Sequence, residues 1–257
     1  MNDLPKEKPY SVIQSTRERF KSEINSPEKF PTYRGLYKHK LPDGSMSESY
    51  IDVLPTFKGK DFASLIDEEV QRREQRATLS EKPFERIVIV DIGYGMGQFL
   101  LDCKERWGDK VSLIGFGTDV YAKRGFHDAD NDIVPTYDVL INLGVNLVEG
   151  NVIDIEKRLE NNSADFVVAS NALIYVLYPR WELLKKIYRV LKQNGIALLD
   201  SGPYPEGGAE LEKYLEENGY LFEFTAIGTA FKKTNPDVNI LAWTDISTPF
   251  RNVIVGK

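Results

Sequence analysis

The chain has 257 residues, 42% of them hydrophobic and 28% charged, the balance of a globular protein long enough to bury a core without disulfides or a structural metal. Its formal net charge of -6, with no block of Lys and Arg, weighs against a nucleic-acid substrate, because such substrates are held mainly by neutralising phosphates. Cys103 is the lone cysteine, which excludes an internal disulfide and points to a reducing compartment. The opening Met1–Lys6 is charged and reads as no secretory signal. The longest apolar stretch, around Phe166–Tyr178, is broken by Ser170 and Asn171 and is too short to span a bilayer. A cytoplasmic protein with no membrane partner is expected, and the oligomeric state stays open.

Residues 1–80 are polar, punctuated by proline, and hold two helical patterns. Ser11–Ile24 places Val12, Ile13, Phe20 and Ile24 on a broken apolar stripe. Asp61–Arg76 opens on an acidic cap and spaces Phe62, Leu65, Ile66 and Val70 along one helix face. Between them, Gly35–Leu41 and Ser47–Val53 flank the turn tripeptide Pro42-Asp43-Gly44, which predicts a hairpin. The interspersed charges of Gln71–Arg76 and Lys185–Lys192 read as solvated helix faces.

From Arg86 onward, short apolar runs alternate with amphipathic segments. Arg86–Ile92 is rich in β-branched residues without polar alternation, as a strand buried on both faces requires. Gln98–Trp107 reads as a helix, and Val111–Phe116, Gly144–Glu149 and Asp165–Ser170 as strands. Trp181–Gln193 is a helix stopped by Asn194-Gly195, followed by a strand at Ile196–Asp200. Glu210–Asn218 is helical, Tyr220–Ile227 is a strand, and Arg251–Val255 is a candidate for pairing at the sheet edge. This alternation predicts a doubly wound α/β fold, a mostly parallel sheet with helices on both faces. The chain divides into an N-terminal helical and hairpin extension, 1–80, and a main domain, 81–257. Ligands of such sheets bind beyond the carboxyl ends of the strands, so the functional residues should follow strands.

Asp91-Ile92-Gly93-Tyr94-Gly95-Met96-Gly97-Gln98 stands where the first strand hands over to a helix. Glycines at alternate positions allow a tight turn and a close ligand approach, and the helix start beyond them favours a negative group. A dinucleotide site would want its third glycine where Gln98 stands, so a nicotinamide-dependent oxidoreductase loses ground.

VDIGYGMG, then EGNVIDI, then ADFVVASNALIYV, then LLKKIYRVLKQNGIALLD follow one another at ordered spacing. The series resembles the motifs of class I methyltransferases that use S-adenosylmethionine (SAM), over Arg86 to about Asp200 and more loosely to the C-terminus. The resemblance implies a seven-stranded sheet with its last strand antiparallel, for which Arg251–Val255 is a candidate, and SAM as cofactor. It also implies that the N-terminal segment covers the cofactor and shapes the acceptor pocket.

The same resemblance gives residues their roles. Asp91 orders the glycine loop and meets the methionine amine, while Gly93, Tyr94, Gly95 and Gly97 form the loop against the cofactor. The ribose position is normally acidic but is Gly117 here, so either Asp119 or Thr118 with a backbone group takes that part. The adenine position carries Asn151-Val152 in place of an acid, with Asp154 nearby as either a helper or a helix N-terminal acid. Ser170 and Asn171 lie beside the sulfonium, and Tyr175 is a candidate wall of the acceptor pocket.

Methyl transfer from a sulfonium is a direct displacement that needs mainly positioning, and a base only for a protonated nucleophile. His127 is the candidate base; His39 receives no role, and Cys103 should be inert core. No metal site is expected. Two histidines and one cysteine are too scattered for zinc, and Asp128, Asp130 and Asp132 lack the glycine and closing glutamate of a calcium loop. The favoured acceptor is a small molecule, which the aromatic residues of the first sixty positions would suit. Gly117 and Asn151 keep a non-catalytic SAM-binding or partner module open, and methylation of a protein or RNA would require docking on residues 1–80.

Overall fold

The computed structural model describes residues 39–40, 46–47, 49–118, 122–123, 126–127, 133–134, 136–170, 172–173, 180–199, 213, 216–217, 221–225 and 228–234. The expected helix at Ser11–Ile24 and strand at Arg251–Val255 lie outside them, and of Glu210–Asn218 only Lys213, Glu216 and Glu217 are described, each helical.

The predicted hairpin is present in short form, β1 (His39–Lys40) against β2 (Met46–Ser47). Its second arm does not continue to Val53. The Ser49 side chain accepts from the Ile51 N–H at 3.2 Å and turns Tyr50–Val53 into a 3-10 helix. A two-residue turn follows, in which Lys58 (φ 51°) and Gly59 (φ 72°) both take left-handed backbone and close a pair of bonds between Phe57 and Lys60. The Lys58 N–H donates to Glu223 Oε2 at 2.7 Å, so this stretch reaches the far side of the sheet.

Helix α1 (Phe62–Ser80) begins at Asp61, whose carboxylate accepts from the Ser64 N–H at 2.7 Å, the cap read from the sequence. The chain then alternates β3 (Ile87–Ile92), α2 (Gln98–Trp107), β4 (Val111–Gly117), the short pair β5 (Phe126–His127) and β6 (Ile133–Val134), α3 (Thr136–Asn142) and β7 (Asn146–Glu149). After these come α4 (Ile155–Arg158), β8 (Ala164–Ala169), α5 (Arg180–Val190), β9 (Leu191–Leu199), β10 (Leu221–Thr225) and β11 (Gly228–Lys232).

Seven strands form one sheet in the order β10-β11-β9-β8-β3-β4-β7. β7, β4, β3, β8 and β9 run parallel, and only β11 opposes both its neighbours. The antiparallel position therefore belongs to Gly228–Lys232, earlier in the chain than Arg251–Val255. The single strand expected at Tyr220–Ile227 is one arm of a hairpin whose register pairs Thr225 with Gly228. The helix predicted to Gln193 ends at Val190, because Leu191 already pairs with Ala164; the ladder resumes at Ile196–Phe166 after a bulge that holds Asn194 at φ 67°.

Alternate residues of the central strand serve two cores, as burial on both faces demands. Ile87 and Ile89 join Phe62, Ile66, Leu100 and Leu140 beneath α1, α2 and α3. Val90 and Ile92 join Ile155, Ile187 and Phe231 beneath α4 and α5. Phe62 meets the rings of Trp107 and Phe166 edge-on at 5.8 Å each.

The described residues 49–80 share the first core with the sheet. Arg73 of α1 is only 6% exposed: it donates to Asp165 Oδ1 and Glu69 Oε1 at 2.6 Å and to the carbonyls of Arg86 and Glu85 at 2.8 and 3.2 Å. Arg73 and Lys185, read from the sequence as solvated, are both buried. Among the described residues no helix is long and apolar enough to cross a membrane.

Candidate functional site

The strand order reverses direction at β3. The chain moves outward from β3 to β4 and β7, then returns to the other side of β3 with β8. A crevice opens at such a switch because the loops leaving the two central strands run to opposite faces. Here the loops are Gly93–Gly97 after β3 and Ser170–Leu173 after β8. They touch: a Cβ on Gly93 would lie 2.5 Å from the Cβ of Ala172.

The glycine loop is held by its backbone. The Gly93 N–H donates to the Phe116 carbonyl of β4 at 2.7 Å, and the Gly97 N–H to the Tyr94 carbonyl at 2.7 Å. Gly93 (φ 73°) and Gly97 (φ 82°) take backbone that L side chains rarely adopt, and a Cβ on Gly97 would meet Leu140 Cδ1 at 2.4 Å. Gly97 is also the N-cap of α2, and no side chain caps that end. Helix α1 contrasts with it, since Asp61 fills the same position there. The start of α2 thus leaves N–H groups and positive dipole without a capping side chain, beside a strip of bare backbone.

Asp91, the last polar side chain of β3, is 5% exposed beneath this loop. Tyr94 turns inward: it is buried, and its ring packs where a Cβ on Gly115 would stand, 3.0 Å from Cδ1. Gln98 is buried as well, and its amide donates to Asp102 Oδ1 at 2.6 Å, while the Ser49 hydroxyl donates to Oδ2 at 2.9 Å. Cys103 beside it is fully buried core, and burial, then the carboxylates of Asp102 and Asp91, push its thiol well up.

The departure at Gly117 has a steric counterpart. A Cβ there would stand 3.3 Å from Gly93 Cα and 3.4 Å from its nitrogen, so the glycine loop lies directly on this strand end. Thr118 follows it and is exposed; Asp119 lies outside the described residues. After β7, the Gly150 N–H donates to the Gly117 carbonyl at 3.0 Å and brings Asn151 and Val152 to the same rim. The Asn151 side-chain oxygen accepts from the Ile153 N–H at 3.2 Å, which leaves a second lone pair, and Val152 is buried. Asp154, the N-cap residue of α4, pairs with Lys157 at 2.7 Å, and that hydrogen bond holds its carboxyl below the usual range.

Ser170 is half-buried at the end of β8, while Asn171 and Tyr175 lie outside the described residues. His127 is in β5, paired opposite Ile133. Asp128, Asp130 and Asp132 are likewise outside them, and no group of three or more metal-ligating residues occurs among those described. One group escaped the sequence reading: Thr136 of α3 is 0% exposed, and its hydroxyl has no hydrogen-bond partner. A lone threonine between Pro135 and Tyr137 gave no signal.

A family model described as "Methyltransferase domain" matches residues 90–199. No curated protein matches the chain. Among solved structures, a Methanococcus maripaludis protein assigned as a SAM-dependent methyltransferase is 15% identical, with 93% of this chain and 100% of that one covered and a TM-score of 0.43. A Galdieria sulphuraria protein assigned as a sarcosine dimethylglycine methyltransferase is 17% identical, covering 66% of this chain and 62% of that one, TM-score 0.38. An arsenic(III) SAM methyltransferase of Chlamydomonas reinhardtii is 20% identical, covering 44% and 38%, TM-score 0.33. The chain thus spans less than two thirds of the last two proteins. The matched residues, less than half of the chain, run from β3 to β9 and take in the glycine loop, the Asn151 turn and the β8 loop, so this stretch is similar to a methyltransferase domain.

Proposed function

We propose that the chain transfers a methyl group from SAM to a small-molecule acceptor, with the cofactor laid across the carboxyl ends of β3, β4, β7 and β8. The reading rests on one observation above all: a bare glycine loop that opens into a helix without a capping side chain, at the switch of strand order. That surface suits the carboxylate of an amino acid, and the buried Asp91 supplies a negative charge for its ammonium. Gly93, Gly95 and Gly97, with the backbone of Tyr94, admit the methionine part. Thr118 or Asp119 meets the ribose, and Asn151 and Val152 the adenine edge. Ser170 and Asn171 flank the reacting end, and Tyr175 walls the acceptor.

The sulfonium supplies an electrophilic methyl group. The residues of this chain supply position and exclusion of water, the factor worth up to about 7–11 kcal/mol in well-oriented systems. His127 is the proposed base for an acceptor that must lose a proton. The segment before α1 is proposed to cover the cofactor and line the acceptor pocket. A chain of net charge -6 favours a small acceptor over a nucleic acid.

Calorimetry with S-adenosylhomocysteine tests the cofactor, and transfer of labelled methyl to a panel of small amines, thiols and hydroxylated aromatics tests the acceptor. Micromolar binding with turnover of one small class is the expected result. Binding without turnover on any of them would favour a module that binds but does not catalyse, and turnover only on protein or RNA would remove the small-molecule assignment.

A further inference from the structure

We infer that the Thr136 hydroxyl is a binding group for the nucleoside half of the cofactor. The inference rests on the SAM reading above and adds a residue outside its motifs. Thr136 is fully buried with an unpartnered hydroxyl, an arrangement folded proteins rarely leave standing unless the group serves something other than the fold.

Its place follows from the topology. The Val145 and Gly144 N–H groups bond back to the carbonyls of Leu140 and Ile141, and the chain then enters β7, which runs parallel to β4. The C-terminal end of α3 therefore points to the amino edge of the sheet, and Thr136 to the carboxyl edge. Leu140 fixes the height, because its side chain rests on Gly97. Thr136 lies four residues earlier, on the same helix face and about 6 Å farther out. It stands above the rim formed by the glycine loop and Thr118, on the side of β4 and β7 where the ribose and adenine are assigned. Because the hydroxyl is fully buried, cofactor binding requires the side chains that cover it to shift. The hydroxyl then gains the partner it lacks.

The test uses the full chain and two variants, Thr136→Val, which keeps the shape and removes the hydroxyl, and Thr136→Ser, which keeps it. Each is measured by thermal unfolding without ligand and by calorimetry with S-adenosylhomocysteine and with 5′-methylthioadenosine, which lacks the amino-acid end. The expected result is an unchanged or higher Tm for Thr136→Val in the absence of ligand, since an unsatisfied group is removed. Its affinity for both ligands falls roughly five- to tenfold, the loss of one hydrogen bond, and Thr136→Ser stays within about twofold of the parent. A lower Tm with unchanged affinity overturns the inference and makes the hydroxyl structural. Weakening toward S-adenosylhomocysteine alone overturns the assignment to the nucleoside half. Failure of the parent itself to bind either ligand defeats the SAM reading, whereas binding by parent and Thr136→Val alike defeats only this inference.

Discussion

The two edges of the parallel sheet are built from opposite materials. At the carboxyl edge, Gly93, Gly117 and Gly150 meet neighbouring strands through backbone hydrogen bonds and bare Cα atoms, Gly97 lies bare against Leu140, and the start of α2 has no capping side chain. At the amino edge, charges saturate one another. Asp165 accepts from Arg73, from the Val88 N–H at 2.8 Å and from Lys192 at 3.1 Å, and Arg73 also grips Glu69 and two carbonyls. Burial would raise the Glu69 carboxyl, but the hydrogen bonds from Arg72 and Arg73 hold it below its ordinary value. An edge with its polar groups already matched has nothing to offer a ligand, whereas an edge of exposed backbone has. The contrast gives cohesion to one edge and, on the function proposed above, binding to the other.

The largest effect is expected from Arg73→Met. It leaves the buried Asp165 with the Val88 N–H and a partly exposed lysine and should cost about 3–5 kcal/mol of stability, read as a lower Tm. Affinity of the folded fraction for S-adenosylhomocysteine should not change, and if affinity falls in step, the edges are not separate. Gly93→Ala is the converse. Its methyl would strike Ala172 at a positive φ, costing about 1–3 kcal/mol, seen mainly as weaker cofactor binding in calorimetry; a loss confined to Tm would break the contrast from the other side. Gly117→Ala presses on the glycine loop at 3.3 Å and should weaken binding by about 1 kcal/mol with little change in unfolding.

The smallest effect is a pH dependence. Because the Glu69 carboxyl titrates below its ordinary value of 4.5 in the folded chain, its contribution is present above that value and is lost as pH falls through the lower folded one. Thermal unfolding across about pH 3 to 6 should therefore show the parent losing Tm more steeply than Glu69→Gln, by up to about 1 kcal/mol for this partly exposed pair. Parallel curves would remove Glu69 from the stabilising set.

The alternation of buried strands and amphipathic helices was legible in the sequence because its periods differ, and the helix bounds Gln98–Trp107 agree residue for residue. The glycine loop was legible because alternate glycines have few other uses. The hairpin Leu221–Lys232 was not: Ala226-Ile227 carry none of the usual turn chemistry, so two strands read as one. Arg73 was hidden for a different reason. Charged residues in a helix look solvated until the partner 92 positions away, Asp165, is brought beneath them. Of the site, Asp91 and the loop could be read locally. Tyr94 could not, since the direction of its ring depends on the space that Gly115 leaves, and neither could Thr136, whose significance is the lack of a partner and not a pattern.

The turn at Lys58-Gly59 has a consequence for the order in which the chain assembles. Its bond to Glu223 joins positions 165 apart, so the stretch after the 3-10 helix and the β10–β11 hairpin meet only when nearly all of the sheet lies between them. Loop closure over that span is slow relative to local helix formation. The hairpin should therefore dock last, and a chain truncated before residue 221 should collapse with an unlatched N-terminal stretch and an open β9 edge prone to aggregation.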